Sequence, residues 1–307
     1  MTRLIAITLS LSLLPGCGDR EQAFGADAER RIVSLSPAVT RMVVDLGLES
    51  SLVGVGEHDP VTSSNAVVVG DLHRIDYEKL LRAHPTHVFL QPGMRGVPER
   101  LKRFARSKDW TVRGYDIETV ADAIRALYRL HDVDDVSVGA ALDLEGEARS
   151  LAVLVHTRLG RLEELVAGRR VERVLLLIGD NPLTAVGPDT FLDELLEIAG
   201  GRNVLDGKPG TRYPVLDRER LVTLRPEVVI FVDATKGSMS SRGQRLRELI
   251  ADLDVPAVRS GRIHEVVDPV ALLPSTSMPR VAATLAKLLH EDSTLEIEAI
   301  VREHDTP

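Results

Sequence analysis

Residues 75–90, IDYEKLLRAHPTHVFL, return as LDRERLVTLRPEVVIF at residues 216–231. In each copy a short amphipathic stretch opens on an aspartate, Asp76 or Asp217, placed to accept the free amides of a first helical turn. A proline, Pro85 or Pro226, ends the helix and a Val-rich run follows. A chain that builds the same helix, proline and strand twice, far apart, is constrained to two units of one design. Glu78 and Glu219 fall at the same place in the two first turns. Acids there complement a helix dipole in any tandem fold, but the match in type and position predicts a shared task for the pair.

The rest of the chain agrees with two units. From Arg31 on, Val-rich runs bounded by Gly, Pro or polar residues (RIVSL, SLVGVG, AVVVG, THVFL, WTVRGY) alternate with stretches of helical spacing such as AVTRMVVDLG and ETVADAIRALYRL. After residue 170 the alternation restarts with RVLLLIG, TFLDELLEIAGG, EVVIFV and PRVAATLAKLLH. That pattern predicts an α/β fold of two Rossmann-like lobes, each a mostly parallel sheet. Between them Val138, Leu142, Leu151, Val155, Leu159, Leu162 and Val166 hold one helical stripe with no internal proline. The spacing predicts a single long backbone helix over 137–168, between an N-terminal lobe at 31–136 and a C-terminal lobe at 169–290. Residues 291–307 read as a polar tail able to form a short amphipathic helix.

The start of the chain reads differently. MTRLIAITLSLSLLPGC carries one cation, a short apolar run and small residues before Cys17, the only cysteine, so no internal disulfide is possible. Residues 1–16 are expected to be a signal peptide. Leu14, Gly16 and Cys17 resemble a bacterial lipobox, which implies acylation at Cys17 and residues 17–30 as a tether between membrane and domain. The expected location is therefore outside the cytoplasm, in the periplasm or cell envelope, by lipid anchor. A net charge of −8 excludes a basic footprint for nucleic acid. No G-x-S-x-G elbow, P-loop or G-x-G-x-x-G after a strand is present, so a binding protein is expected in preference to a two-lobed enzyme.

RIVSLSPAVTRMVVDLGLESSLVGV, the repeated helix-proline-strand unit, VGPDTFLDELLEIAGGRNV and MPRVAATLAKLL together resemble the helical-backbone substrate-binding proteins of ABC importers for cobalamin, haem and iron-siderophores. The resemblance spans residues 31 to about 290. It implies a ligand held between the lobes, no cofactor of the protein's own, and a cargo containing cobalt or iron. A monomer is expected, with the importer's permease dimer and ATPase as partners. In that family an acid on each lobe docks to permease arginines, a role that falls on Glu78 and Glu219.

Loops at the carboxyl ends of parallel strands are expected to line the site. They contain Ser36 and Pro37, His58 and Asp59, Leu72 and His73, and Arg95 in the first lobe. Asn181, Tyr213, Asp233 and Asp268 are their counterparts in the second. His58 or His73 offers an imidazole for the metal of a chelate, whereas Arg95 and Tyr213 suit a carboxylate or catecholate. Leu72 aligns with a position where some relatives carry a cleft tryptophan, and aromatic residues make up only 3% of the chain. A corrinoid is the leading expectation, with haem, a ferric siderophore, or a bare zinc or manganese ion held by His58 and Asp59 with Asp233 or Asp268 as alternatives. Arg280, after Pro279, is expected to fasten structure.

Overall fold

The computed structural model describes residues 30–61, 65–71, 73–92, 96–128, 136–207, 211–235 and 241–302. In the first lobe the order is β1 (Ile32–Ser34), α1 (Pro37–Asp45), β2 (Leu52–Val55), β3 (Val67–Val68), α2 (Tyr77–Arg82), β4 (His87–Leu90), α3 (Glu99–Lys108), β5 (Thr111–Gly114) and α4 (Val120–Leu127). Two helices follow, α5 (Val138–Ala141) and α6 (Glu145–Val166). The second lobe runs β6 (Glu172–Asp180), β7 (Leu183–Ala185), α7 (Phe191–Ile198), β8 (Gly201–Asn203), α8 (Arg218–Leu224), β9 (Val228–Asp233), α9 (Ser241–Ile250), α10 (Pro256–Arg259) and β10 (Ile263–Val267). It closes with α11 (Met278–Leu289) and α12 (Thr294–Arg302).

Both sheets are those the alternation predicts. The first is parallel throughout, in the order β3-β2-β1-β4-β5. In the second, β10, β9, β6 and β8 are parallel, and β7 turns back on the carboxyl half of β6. Helices on both faces demand strands apolar on both faces. Accordingly Ile32 and Phe89 face the α1 side, while Val33, Val88 and Leu90 pack on Leu80 and Leu101. Val174, Leu176, Val228 and Ile230 divide likewise from Leu175, Leu177, Val229 and Phe231.

What unites the lobes is the inner layer. Ala148, Ala152, Val155, Leu159, Leu162 and Val166 form a stripe at intervals of four and three along α6, all buried. One apolar cluster runs through that stripe from α1, β1 and α4 of the first lobe to α7, β6, β9 and α11 of the second. Two half-cores thus share a wall, and apolar burial at roughly 25 cal/mol per Å² resists their separation.

The backbone helix is shorter than the stripe predicts. It spans Glu145–Val166, roughly 33 Å at 1.5 Å per residue. The expected stretch 137–168 breaks after α5. Asp143 takes a left-handed conformation at φ 53. Leu144 N–H donates to the Gly139 carbonyl at 2.8 Å and Asp143 N–H to Ala140 at 3.4 Å, closing α5 with a left-handed cap. Gly139 lies against α6 so closely that a Cβ there would stand 2.3 Å from that of Ala148. The glycine permits α5 to pack on α6, and an aspartate, not a glycine, makes the break.

The tail forms the short amphipathic helix expected of it, but it is part of the core and not a polar appendage. α12 packs on α6 and α11, with Ile297 and Ile300 buried in the shared core. Through residue 302 it belongs to the fold. Arg3, Cys17 and the rest of residues 1–29 lie outside the described residues, as do Leu72 and Arg95.

Candidate functional site

The repeat is structural down to its caps. Asp76 Oδ1 accepts from the amides of Glu78 and Lys79 at 3.1 Å, and Asp217 Oδ1 from Arg220 at 2.7 Å. The left-handed residues His84 (φ 46) and Arg225 (φ 48) end the two turns ahead of the prolines. An arginine closes each helix: Arg31 donates to the carbonyls of Ala83 and His84, and Arg173 Nη2 to Leu224 at 2.8 Å. Cations there satisfy the carbonyls at the negative end of the dipole.

These helices occupy equivalent places. Asp76 N–H bonds Val69, just past β3, so α2 starts at the carboxyl edge of the first sheet and descends to β4. Leu216 N–H bonds Leu183, beside the end of β6, so α8 starts at the carboxyl edge of the second sheet and descends to β9. Glu78 and Glu219 therefore stand exposed at the same edge of their respective lobes. Glu78 pairs with Arg82 at 2.6 Å, both side chains about three-quarters exposed. The Glu219 carboxylate has no ion pair among the described residues.

At the same edges the strand order reverses, between β1 and β4 in one lobe and β6 and β9 in the other. Open α/β sheets leave a crevice at such points. In the first lobe Ser36 is buried and caps α1, its Oγ accepting from the Val39 amide at 3.4 Å. Pro37 is the first residue of that helix. Ser36 is thereby committed to the cap, whereas Pro37 stays partly exposed at the start of α1. His58 and His73 are exposed, in the loops after β2 and β3. Asp59 is half-buried, with Oδ1 accepting from Val61 at 3.0 Å and Oδ2 buried without a donor among the described residues. Burial raises its carboxyl above the ordinary range, opposed by the Val61 amide, while the Thr40 hydroxyl donates to the Ser36 carbonyl at 3.1 Å.

In the second lobe the reversal point is charged. Asp180 ends β6, Asp233 ends β9, and Arg242 of α9 bridges them, Nε to Asp180 at 3.0 Å and Nη1 to Asp233 at 3.5 Å. Its guanidinium stands 5.8 Å from the centre of the Phe231 ring. Arg245 adds a second contact to Asp180 at 2.7 Å. Partial burial pushes the Asp180 carboxyl up, but the two guanidiniums outweigh it and hold the group below its ordinary value. Asp233 is fully buried, with Oδ1 also accepting from Thr235. Asp268 binds Arg280 at 2.9 Å, so Arg280 is the fastener expected of it and Asp268 is half of the same clasp. Asn181 is exposed, directly after Asp180.

Tyr213 sits where the lobes touch. Its neighbour Arg212 reaches Glu118 of the first lobe at 3.3 Å, and burial, then Glu118, push the Tyr213 phenol up. Phe191 N–H donates to the Glu118 carbonyl at 2.8 Å and Val120 N–H to Glu194 at 2.6 Å, on the same seam.

The loops named from the sequence lie at the carboxyl edges of the two sheets, and Arg242, Arg245 and Glu118, which no local spacing singles out, lie beside them. Arg242 lies 62 residues from Asp180, and no local spacing announces the pair. Nor does the proposed bare-ion set gather: among the described residues no group of three or more His, Cys, Asp or Glu converges.

The model of the periplasmic binding protein family matches residues 32–268. The chain belongs to that family. This periplasmic binding protein is 23% identical over 235 residues to the vitamin B12-binding protein of Photorhabdus laumondii, covering 76% of this chain and 78% of that one. It is 26% identical over 268 residues to a cobalamin-binding protein of Halobacterium salinarum, covering 81% and 70%. Its fold is similar to the apo periplasmic heme-binding protein of Roseiflexus, at TM-score 0.69 and 21% identity over 86% of this chain and 98% of the other. The periplasmic vitamin B12 binding protein of Vibrio cholerae follows at TM-score 0.65 and 19% identity, covering 85% and 96%. The family agrees with the reading of a binding protein and not an enzyme, and with a periplasmic location.

Proposed function

We propose that this periplasmic binding protein delivers a metal chelate, a corrinoid such as cobalamin, to an ABC importer in the membrane. The observation that carries the reading is the pair Glu78 and Glu219, exposed on matching first turns at the carboxyl edges of two lobes that share one core. Two like anchors on a rigid body suit a two-fold partner carrying arginines, because a pair of carboxylates at fixed separation sets orientation as well as charge. The relatives named for vitamin B12 and cobalamin support the choice of cargo.

In this reading the chelate lies between the two reversal points. Pro37, His58, Asp59, Leu72, His73 and Arg95 approach it from one lobe, and Asn181, Tyr213 and the Asp180–Arg242–Asp233 corner from the other. Asp268 adjoins that corner, its N–H donating to the Asp233 carbonyl at 3.0 Å. His58 or His73 is the candidate axial ligand to the cobalt or iron of the cargo, and the protein supplies no cofactor of its own. The shared core permits only small lobe movements on capture. A lipid at Cys17 would hold the protein at the membrane and raise the effective concentration for docking.

The test is a parallel titration of the protein with cyanocobalamin, haemin and a ferric siderophore, followed by absorption and calorimetry. Saturable binding of cyanocobalamin in preference to the others supports the reading, with a shifted corrin band if an imidazole ligates. Preference for haemin or the siderophore overturns the corrinoid assignment; binding of none, with zinc or manganese bound instead, overturns the chelate.

A further inference from the structure

α3 carries Arg100, Lys102, Arg103, Arg106 and Lys108 against one acid of its own, Glu99, and the aspartate that ends it, Asp109. Glu99 is taken by Lys102 at 2.7 Å. Arg100, Arg103, Arg106 and Lys108 are exposed, and none has an ion pair among the described residues. The chain as a whole has a net charge of −8, so this helix runs against its background. α9 holds the equivalent place in the second lobe, between β9 and β10, and there every arginine is matched: Arg242 to Asp180 and Asp233, Arg245 to Asp180, and Arg247 to Glu265.

Helix stability does not account for these cations. Arg106 and Lys108, in the last turn, complement the helix dipole, but Arg100 sits in the first turn, where a cation opposes it. Arg100 and Arg103, Arg103 and Arg106, and Lys102 and Arg106 are three or four residues apart, and like charges at those spacings repel along the helix surface. An anionic surface outside the molecule turns that repulsion into attraction. The ground between the charges is aromatic. Tyr77 of α2, Phe104 and Trp110 are all partly exposed, with Phe104 between the other two at 5.6 and 6.3 Å between ring centres. The Arg100 guanidinium lies 4.1 Å from the centre of the Tyr77 ring. Half-buried tryptophan and tyrosine beside arginine and lysine suit a lipid headgroup layer, where one end of a ring is apolar and the other wet.

We infer that the α2–α3 face of the first lobe is a membrane-contact surface that rests on anionic lipid headgroups through Arg100, Arg103, Arg106 and Lys108. A periplasmic protein meets anionic lipid on the membranes that bound its compartment, and the contact concentrates it at the surface where the proposed permease lies. Lipid contact through α3 requires no acyl chain, but the one proposed at Cys17 acts in the same sense. Arg31 is fixed to the Ala83 and His84 carbonyls at the foot of α2, so the chain enters the fold beside this face.

The experiment is cosedimentation of the full chain with vesicles of phosphatidylcholine alone and of phosphatidylcholine with phosphatidylglycerol, at low and at high salt, with Trp110 fluorescence read in parallel. The wild type is set beside Arg103→Gln with Arg106→Gln and Lys108→Gln, and beside Arg149→Gln with Arg202→Gln and Arg220→Gln, which removes the same charge from exposed places on α6, β8 and α8. All six side chains are exposed and without ion pairs among the described residues, so both variants should fold. The wild type should prefer the anionic vesicles, lose that preference at high salt, and shift the emission of Trp110, the only tryptophan, to shorter wavelength. The α3 variant should lose about fivefold per cation, roughly 100-fold in all, while the second variant keeps the wild-type affinity. Residues 1–29 are common to all three proteins, so their own affinity for lipid cancels from the comparison. Equal loss in both variants would mean that net charge alone is read and would overturn the surface, as would equal binding of the wild type to neutral and anionic vesicles. Binding of polyglutamate through the same three cations, with no preference for anionic vesicles, would assign the face to an acidic protein and overturn the lipid contact.

Discussion

Replacing Glu78 and Glu219 by alanine together should leave the free protein intact and disable delivery. The structure sets both magnitudes. Glu78 and Arg82 are each about three-quarters exposed, so their pair contributes at most about 0.5 kcal/mol to folding. Glu219 is exposed and its carboxylate makes no ion pair among the described residues, so its removal costs little more. In the proposed docked complex each carboxylate would be desolvated against an arginine, and truncating one partner of such a pair costs about 2–5 kcal/mol, or at least 30-fold in affinity. The two losses are not equal. Glu78 must surrender or share Arg82 on docking, whereas Glu219 surrenders nothing. Glu219→Ala should therefore weaken docking about twofold more than Glu78→Ala, the equivalent of one helical i,i+4 pair, and Arg82→Gln should strengthen it by a similar factor. The assays are binding to the permease complex in nanodiscs at two salt concentrations, uptake of labelled ligand by cells, and calorimetric affinity for the ligand alone. Loss of ligand affinity in the double variant, or uptake unchanged from wild type, refutes the docking role.

The shared core makes a second prediction. Leu162→Ala, at a fully buried position of α6, should cost about 2–5 kcal/mol, and tryptophan fluorescence from Trp110 in the first lobe should report the same melting midpoint as overall circular dichroism. Separate midpoints would show that the lobes do not share one cooperative core. A third concerns Asp59, whose carboxyl is held above its ordinary value. A carboxylate with a raised folded value destabilises the protein as pH climbs through and beyond the unfolded value near 4. Asp59→Asn should then be more stable than wild type at pH 7, by about 1 kcal/mol, the low end for a buried oxygen without a donor. The gain should vanish near pH 3, where both states carry a neutral group; equal stability at pH 7 would show that the carboxylate has a partner in solution.

Much of this was legible in the chain itself because local rules govern it. Asp76 and Asp217 as caps, Pro85 and Pro226 as stops, and the Val-rich strands follow from backbone geometry and burial on two faces, and each is readable within about ten residues. The break at Asp143 was not, since a left-handed aspartate looks like any polar residue on the exposed face of a helix until Gly139 is seen packed on Ala148. Nor was the fate of the tail, whose Ile297 and Ile300 are buried only because α6 and α11 present a groove for them.

Two lobes of one design, joined by a helical stripe and each carrying an acid at the same first turn, follow from the order of residues alone. Those are statements about periodicity and repetition, and neither needs the chain to be folded to be true. Which charges meet is fixed by the packing of the folded chain. Arg242 between Asp180 and Asp233, Arg212 on Glu118, and Arg158 Nε and Nη2 without a partner among the described residues are all set by where distant strands and helices end. An ion pair or an orphaned guanidinium is a matter of a few ångströms between segments that folding brings together, and no spacing along the chain encodes that distance.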